Sequence, residues 1–254
     1  MISKEALRKA VMPLVVLLLA GCANIYDANL FENFDGPPSA SELANGSAED
    51  IADAAESPQF FEELEDDPEA KEALQDRLQE IYNDPNASDS DRRTAAVVSG
   101  DIEMETTEGG EIVNNVVDVV LDEEGGGEFS DPGTFIRNTF PESVRNDPEE
   151  LEAQIESFRT AAEAYYAYGE GLTEDGVPDG ANSGEIAQRA TVAILMDTLA
   201  EQAGGTDELV ADIQADDYSS YSDPTESALG TEDEPEPLRN ILDVAGLTSV
   251  VEGG

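Results

Sequence analysis

The chain has no histidine, no tryptophan and one cysteine among its 254 residues. Without histidine there can be no Ser-His-Asp or Cys-His catalysis and no His-ligated metal, and the usual general base near neutrality is missing. A lone cysteine cannot close an intramolecular disulfide, and zinc sites built from Cys and His are excluded. Positive charge is almost as scarce: 12 Lys and Arg stand against 59 Asp and Glu, a formal charge of −47. Such a surface repels phosphates and anionic headgroups, so nucleic acid is not expected as a partner. Long apolar runs are missing as well. The one apolar stretch, Ala10 to Ala20, is interrupted by Pro13 and is about half the ~20 residues needed to cross a bilayer.

That stretch is informative through its flanks. Lys4, Arg8 and Lys9 precede it, and Leu19-Ala20-Gly21-Cys22 closes it. A basic n-region, an apolar h-region and small residues before a cleavage point form an export signal. The closing four residues resemble the lipobox of bacterial lipoprotein precursors. The resemblance implies cleavage between Gly21 and Cys22, a diacylglyceryl thioether on Cys22 and acylation of the new amine, for example by palmitate. It accounts for the single cysteine. It also implies an anchor in the lipid bilayer, and two or more acyl chains hold stably where one binds marginally. Ala23 follows the cysteine where the lipoprotein sorting rule reads Asp as inner-membrane retention, so the resemblance implies the outer membrane, facing periplasm or surface.

Removing residues 1–21 takes away Lys4, Arg8 and Lys9 against Glu5, so the mature 233 residues carry −47 − 2 = −49. Lys71 is then the only lysine, beside eight arginines. An acidic tail would be disordered, but 39% of residues are hydrophobic and recur at helical spacing, as in a chain that builds a core. Charge of this density suits molar salt, where the Debye length shrinks to about 3 Å, and the composition looks like that of proteins from salt-loving microbes.

The pattern predicts a mainly α fold, an irregular helical array or bundle behind a lipidated tether. Residues 22–46, with Gly36-Pro37-Pro38, read as the tether, and 47–123 as a first helical half. Ser47 and Ser57-Pro58 open short helices. Asp67-Pro68-Glu69 combines an N-cap, a proline at the first helical position and an acid at the dipole's positive end. Ser88 or Ser90 opens the next helix, and Ile112–Leu121 reads as another by its period of 3.6. Residues 124–133 (Gly125-Gly126-Gly127, Asp131-Pro132-Gly133) read as a loop before a second half, 134–214. There Asp147-Pro148 starts a long helix, and Asn182 with Glu185 starts one that is apolar nearly all round and belongs in mid-core. Residues 215–237 read as an acidic linker, and 238–254 as a short helix and tail. The segment Phe158–Leu172, with its mix of small and aromatic residues, is similar to one helix of a tetratricopeptide repeat, which implies a solenoid. No 34-residue period accompanies it, and Tyr165, Tyr166 and Tyr168 read as packing, with hydroxyls reaching the surface.

Candidate chemistry is sparse. Asp175, Asp179 and Glu185 have partial calcium-loop spacing, but position three is missing and Glu185 falls one residue short. The stretch Asp84–Asp91 lacks the glycine and the bidentate acid. Both read as solvated turns. No phosphate loop, dinucleotide fingerprint or nucleophile elbow is present, so no catalytic residue is assigned and no cofactor beyond the Cys22 lipid is expected. The expected function is a lipid-anchored envelope protein that works through a protein partner. The alternatives are a solute-binding lipoprotein with a groove between the helical halves and a calcium-stabilised envelope protein.

Overall fold

The computed structural model describes residues 39–107, 132–171, 176–178, 181–230 and 236–247. Cys22 and its leader, Ile112–Leu121, the three glycines 125–127, Asp175 and Asp179 lie outside them. Twelve helices and no strands make up the described residues, and the fold is mainly α. They are α1 (Ala40–Leu43), α2 (Ala48–Ala55), α3 (Pro58–Asp66), α4 (Pro68–Asn83), α5 (Asp89–Glu105), α6 (Pro132–Thr139), α7 (Glu142–Arg145), α8 (Pro148–Glu170), α9 (Ser183–Ala203), α10 (Thr206–Ala215), α11 (Pro224–Leu229) and α12 (Pro237–Ala245).

Helix starts follow the local chemistry. Asp67 accepts from Ala70 N at 3.1 Å, and Asp147 accepts from Glu149 N and Glu150 N. Ser47 with Asp50 forms a capping box, and Ser88 rather than Ser90 caps α5, accepting from Asp91 N at 3.0 Å. Each arrangement satisfies amide groups that the first turn would otherwise orphan. Between α9 and α10 the chain reverses in two glycines, Gly204 at φ +102° and Gly205 at φ +143°, a backbone that side chains resist.

Helix α8 is the hub. It packs against α4, α5, α7, α9, α10 and α12, and its stripe of Leu151, Ile155, Phe158, Ala162 and Tyr165 is fully buried. Phe158 meets Phe140 edge-to-face at 6.3 Å. Helix α9, expected in mid-core, buries Ile186, Ala187, Ala190 and the whole of Val192–Ala200, and contacts α5, α8, α10, α11 and α12. Each large apolar side chain buried here contributes roughly 1.5–3 kcal/mol of transfer free energy. Helix α5 approaches α8 at Gly100, where an added Cβ would lie 2.6 Å from the Tyr165 ring. The two expected halves therefore meet across α5 and α8 in one hydrophobic cluster.

Two boundaries differ from expectation. The tether does not extend to residue 46: Ser39 and Glu42 form a capping box, and Ala40 and Leu43 of α1 are buried against α3 and α4. Nor are residues 215–237 simply a linker. Asp223 caps α11 by accepting from Thr225 N, and Ala228 and Leu229 are buried against α9 and α12. In both places apolar burial outweighs the high local acidity. The described helices run from 4 to 23 residues and do not alternate in pairs of equal length.

Candidate functional site

Eight of the nine cations that follow Cys22 occupy specific structural positions; the ninth, Arg93, has a buried Nε without a hydrogen-bond partner. Four arginines donate through Nε to backbone carbonyls at the ends of local structure: Arg77 to Gly46, Arg92 to Tyr82, Arg145 to Phe140 and Arg239 to Leu229. Tyr82 and Leu229 lie in the last turns of α4 and α11 and Phe140 directly follows α6, where carbonyls lack partners and the helix dipole is negative. Arg137 pairs with Asp216 at 2.9 Å and lies over the Tyr218 ring.

Three further cations bind carboxylates between helices. Lys71 on α4 donates to Glu103 on α5 at 2.7 Å, and Gln75 Nε2 and Ser157 Oγ donate to the same carboxylate at 3.0 Å. Glu103 is only 7% exposed, and three donors compensate its burial. Arg189 on α9 reaches Asp101 at 2.9 Å and Glu105, both on α5, while Tyr165 Oη donates to Asp101 at 2.9 Å. Burial opposes the Arg189 charge, but Asp101, Tyr165 and Glu105 outweigh it, and the guanidinium is held more firmly protonated than usual. Arg159 on α8 joins Asp197 on α9 at 3.2 Å, Thr206 at 3.1 Å and Glu156. Burial raises the Asp197 carboxyl despite Arg159. These are closed clamps with their polar groups mutually satisfied, and none presents an activated nucleophile beside a base.

The tyrosines bear out packing but not surface-seeking hydroxyls. Tyr165 donates to Asp101 and Tyr168 to the Gly176 carbonyl at 3.2 Å, both inside the fold. Burial pushes Tyr166 and Tyr168 up to about 12 and Tyr165 well above its ordinary value of about 10. Tyr82, Tyr218 and Tyr221 are raised in the same direction, again chiefly by burial. A raised phenol favours the folded state fully below the unfolded value, and that contribution is lost as pH climbs through the folded values. At about pH 10.5, Tyr165, Tyr166, Tyr168 and Tyr221 should therefore stay un-ionised while the helices persist, so that phenolate absorbance falls well short of the full seven tyrosines until the chain unfolds. Gradual ionisation of all seven near pH 10 in a folded chain would contradict the packing described.

Of Asp175, Asp179 and Glu185, whose partial calcium-loop spacing reads as a solvated turn, only Glu185 is described. It sits in the first turn of α9 and accepts from Asn182 Nδ2 at 3.1 Å. In the other acidic turn, Asp84 Oδ1 accepts from Asn86 N and Nδ2, both at 2.9 Å, and Ser88 Oγ donates to Asp91 at 2.7 Å. No group of three or more Asp, Glu, His or Cys with ligating geometry occurs among the described residues.

A pocket of about 350 Å³ opens where α3, the end of α5 and the start of α8 converge, lined by Glu65, Thr106, Thr107, Glu150, Ala153 and Gln154. Thr106 and Thr107 spend their hydroxyl protons on the Ile102 and Glu103 carbonyls at 2.6 and 3.0 Å. Gln154 is 2% exposed; its Nε2 donates to Glu150 at 3.1 Å, and its Oε1 has no hydrogen-bond partner. Sequence reasoning missed this residue. Its signal was a polar side chain on the apolar stripe between Leu151, Ile155 and Phe158.

No protein-family model, no curated protein and no solved structure matches this chain. Its function is argued from its own residues.

Proposed function

We propose that this protein is a lipid-anchored helical component of a bacterial cell envelope that works by binding a protein partner. The observation that carries the reading is Leu19-Ala20-Gly21-Cys22 placed at the end of a short apolar run with basic residues before it. Two features of the described residues agree with it. No helix there is long and apolar enough to cross a membrane, and Val244, 39% exposed, is the one exposed large hydrophobic side chain. A covalent lipid on Cys22 would supply membrane attachment without either feature in the described residues. The outer membrane is the proposed location, through Ala23. The partner surface would be basic or would meet this one through bridging cations, because the acidic face lacks the apolar anchors of a dry interface. The acidic surface itself is proposed as an adaptation to concentrated salt.

A second reading, solute capture, is favoured by one observation: the pocket takes Glu65, Thr106 and Thr107 from residues 47–123 and Glu150, Ala153 and Gln154 from residues 134–214.

Crosslinking and capture on whole cells at their native salt, comparing the wild type with Cys22→Ala, tests the first reading. The wild type should sediment with membranes and capture the same envelope partners reproducibly, and the variant should lose both. An anchored, abundant wild type that captures nothing would overturn the partner role, and a variant that stays on the membrane would overturn the anchor.

A further inference from the structure

Two asparagines stand in the pattern Asn-x-Ser with x other than proline: Asn45-Gly46-Ser47 and Asn86-Ala87-Ser88. In an exported chain that tripeptide is an acceptor for an N-linked sugar where it lies on a surface loop. The structure meets this condition twice. Asn45 is exposed in the turn between α1 and α2, and Asn86 is exposed in the turn between α4 and α5. The serine of each tripeptide caps the helix that follows.

The two sites differ at the amide. Asn86 Nδ2 donates to Asp84 Oδ1 at 2.9 Å and follows the rigid Pro85. No described residue bonds the Asn45 amide. Two other asparagines have structural tasks: Asn182 accepts from Gly184 N to cap α9, and Asn240 donates to the Gly169 carbonyl at 3.2 Å. The backbone beside Asn45, by contrast, is pinned. Gly46 N donates to the Leu43 carbonyl at 2.7 Å, and the Gly46 carbonyl accepts from Arg77 Nε at 3.1 Å. A fixed turn thus presents an unengaged carboxamide to solvent.

We propose that Asn45 carries an N-linked sugar and is the preferred acceptor of the two. The donor is a sugar activated through a phosphate at C1. Asn45 Nδ2 forms a bond to C1, the C1–O bond breaks, and the phosphate leaves with that bond's electron pair. It takes up the proton released from Nδ2, so no oxidant or reductant is needed. The inference rests on the export reading, because the chain must reach the compartment of the transferring enzyme. In the folded chain Ser47 Oγ donates to Asp50 Oδ2 at 2.6 Å and accepts from Asp50 N at 3.2 Å. The hydroxyl that marks the acceptor is therefore engaged once α2 forms. Transfer takes place before the first turn of this eight-residue helix closes, or while it is locally open.

The test is peptide mass analysis of the full chain taken from membranes of the producing cell, with the Cys22 peptide read in the same sample. The Asn45 peptide should be heavier by one or more sugar units, and the Asn86 peptide should be less occupied. Asn45→Gln should remove that mass. Ser47→Gly should remove it too while α2 persists, since glycine at an N-cap loses little against serine. Ser47→Thr retains both hydroxyl and cap and should keep full occupancy. An unmodified Asn45 peptide in a chain whose Cys22 carries lipid would overturn the proposal and leave the anchor standing. A sugar that persists in Asn45→Gln or Ser47→Gly, or that favours Asn86, would also overturn it. A chain that keeps Met1 to Gly21 and carries no sugar would overturn this inference together with the export reading.

Discussion

Replacing Arg189 by methionine is expected to destabilise the protein by about 2–3 kcal/mol. The guanidinium joins Asp101 and Glu105, one helical turn apart on α5, and Asp101 also takes the Tyr165 hydroxyl proton. Without the cation, two carboxylates on successive turns of α5 are left unpaired side by side in a partly dry interface. Breaking a fully buried pair in this way costs about 3–5 kcal/mol. The side chains of Arg189, Asp101 and Glu105 are 26%, 21% and 37% exposed, so water reduces that figure. For a domain of this size, the loss lowers the melting temperature by roughly 4–12 °C. Because the pair is partly buried, added salt should restore little of it. Neutralising the partners as well, with Asp101→Asn and Glu105→Gln, should recover most of the stability. Thermal melts of the single and triple variants check this. A single variant as stable as the wild type would show that the clamp contributes nothing.

Transfer from molar salt to dilute buffer is expected to have a larger effect still, unfolding most of the molecule. At −47 over the whole chain, acidic side chains far outnumber cations, and most of those cations are committed to the carbonyls and clamps described above. Self-repulsion acts over about 30 Å at 0.01 M salt and about 3 Å at 1 M. Native stabilities of about 5–15 kcal/mol leave little room for that increase. Helical circular dichroism should fall cooperatively on dilution and return when potassium chloride is added back. An unchanged spectrum in dilute buffer would remove the case for salt adaptation.

Much of the helical layout was legible because its signals are local. Asp67-Pro68 and Asp147-Pro148 open α4 and α8 where expected, and the all-round apolar character of Ala190–Met196 marked α9 as central. Two elements went unread although the same chemistry announces them. Ser39-Ala-Ser-Glu42 is a capping-box pattern, and Asp223-Pro224 repeats the start signal of the two longer helices; surrounding acidity and prolines obscured both. The arginine clasps were not legible, because a carbonyl becomes a partner only once tertiary packing brings a helix end beside a distant guanidinium. Arg145 reaches five residues to Phe140, whereas Arg77 reaches back 31 to Gly46. The pocket was hidden for the same reason: its residues come from three helices up to 89 positions apart, since Glu65 and Gln154 face one space only after α5 and α8 have packed (154 − 65 = 89).

The central claim is that Cys22 is the first residue of the mature protein and carries lipid. Intact-mass and N-terminal peptide analysis of the protein from membranes of the producing cell tests it most directly. The account predicts a chain that begins at Cys22, lacks residues 1–21 and has its first peptide heavier by a diacylglyceryl group and an amide-linked acyl chain. A mature chain with an unmodified Cys22 thiol, or one that retains Met1 to Gly21, would contradict it.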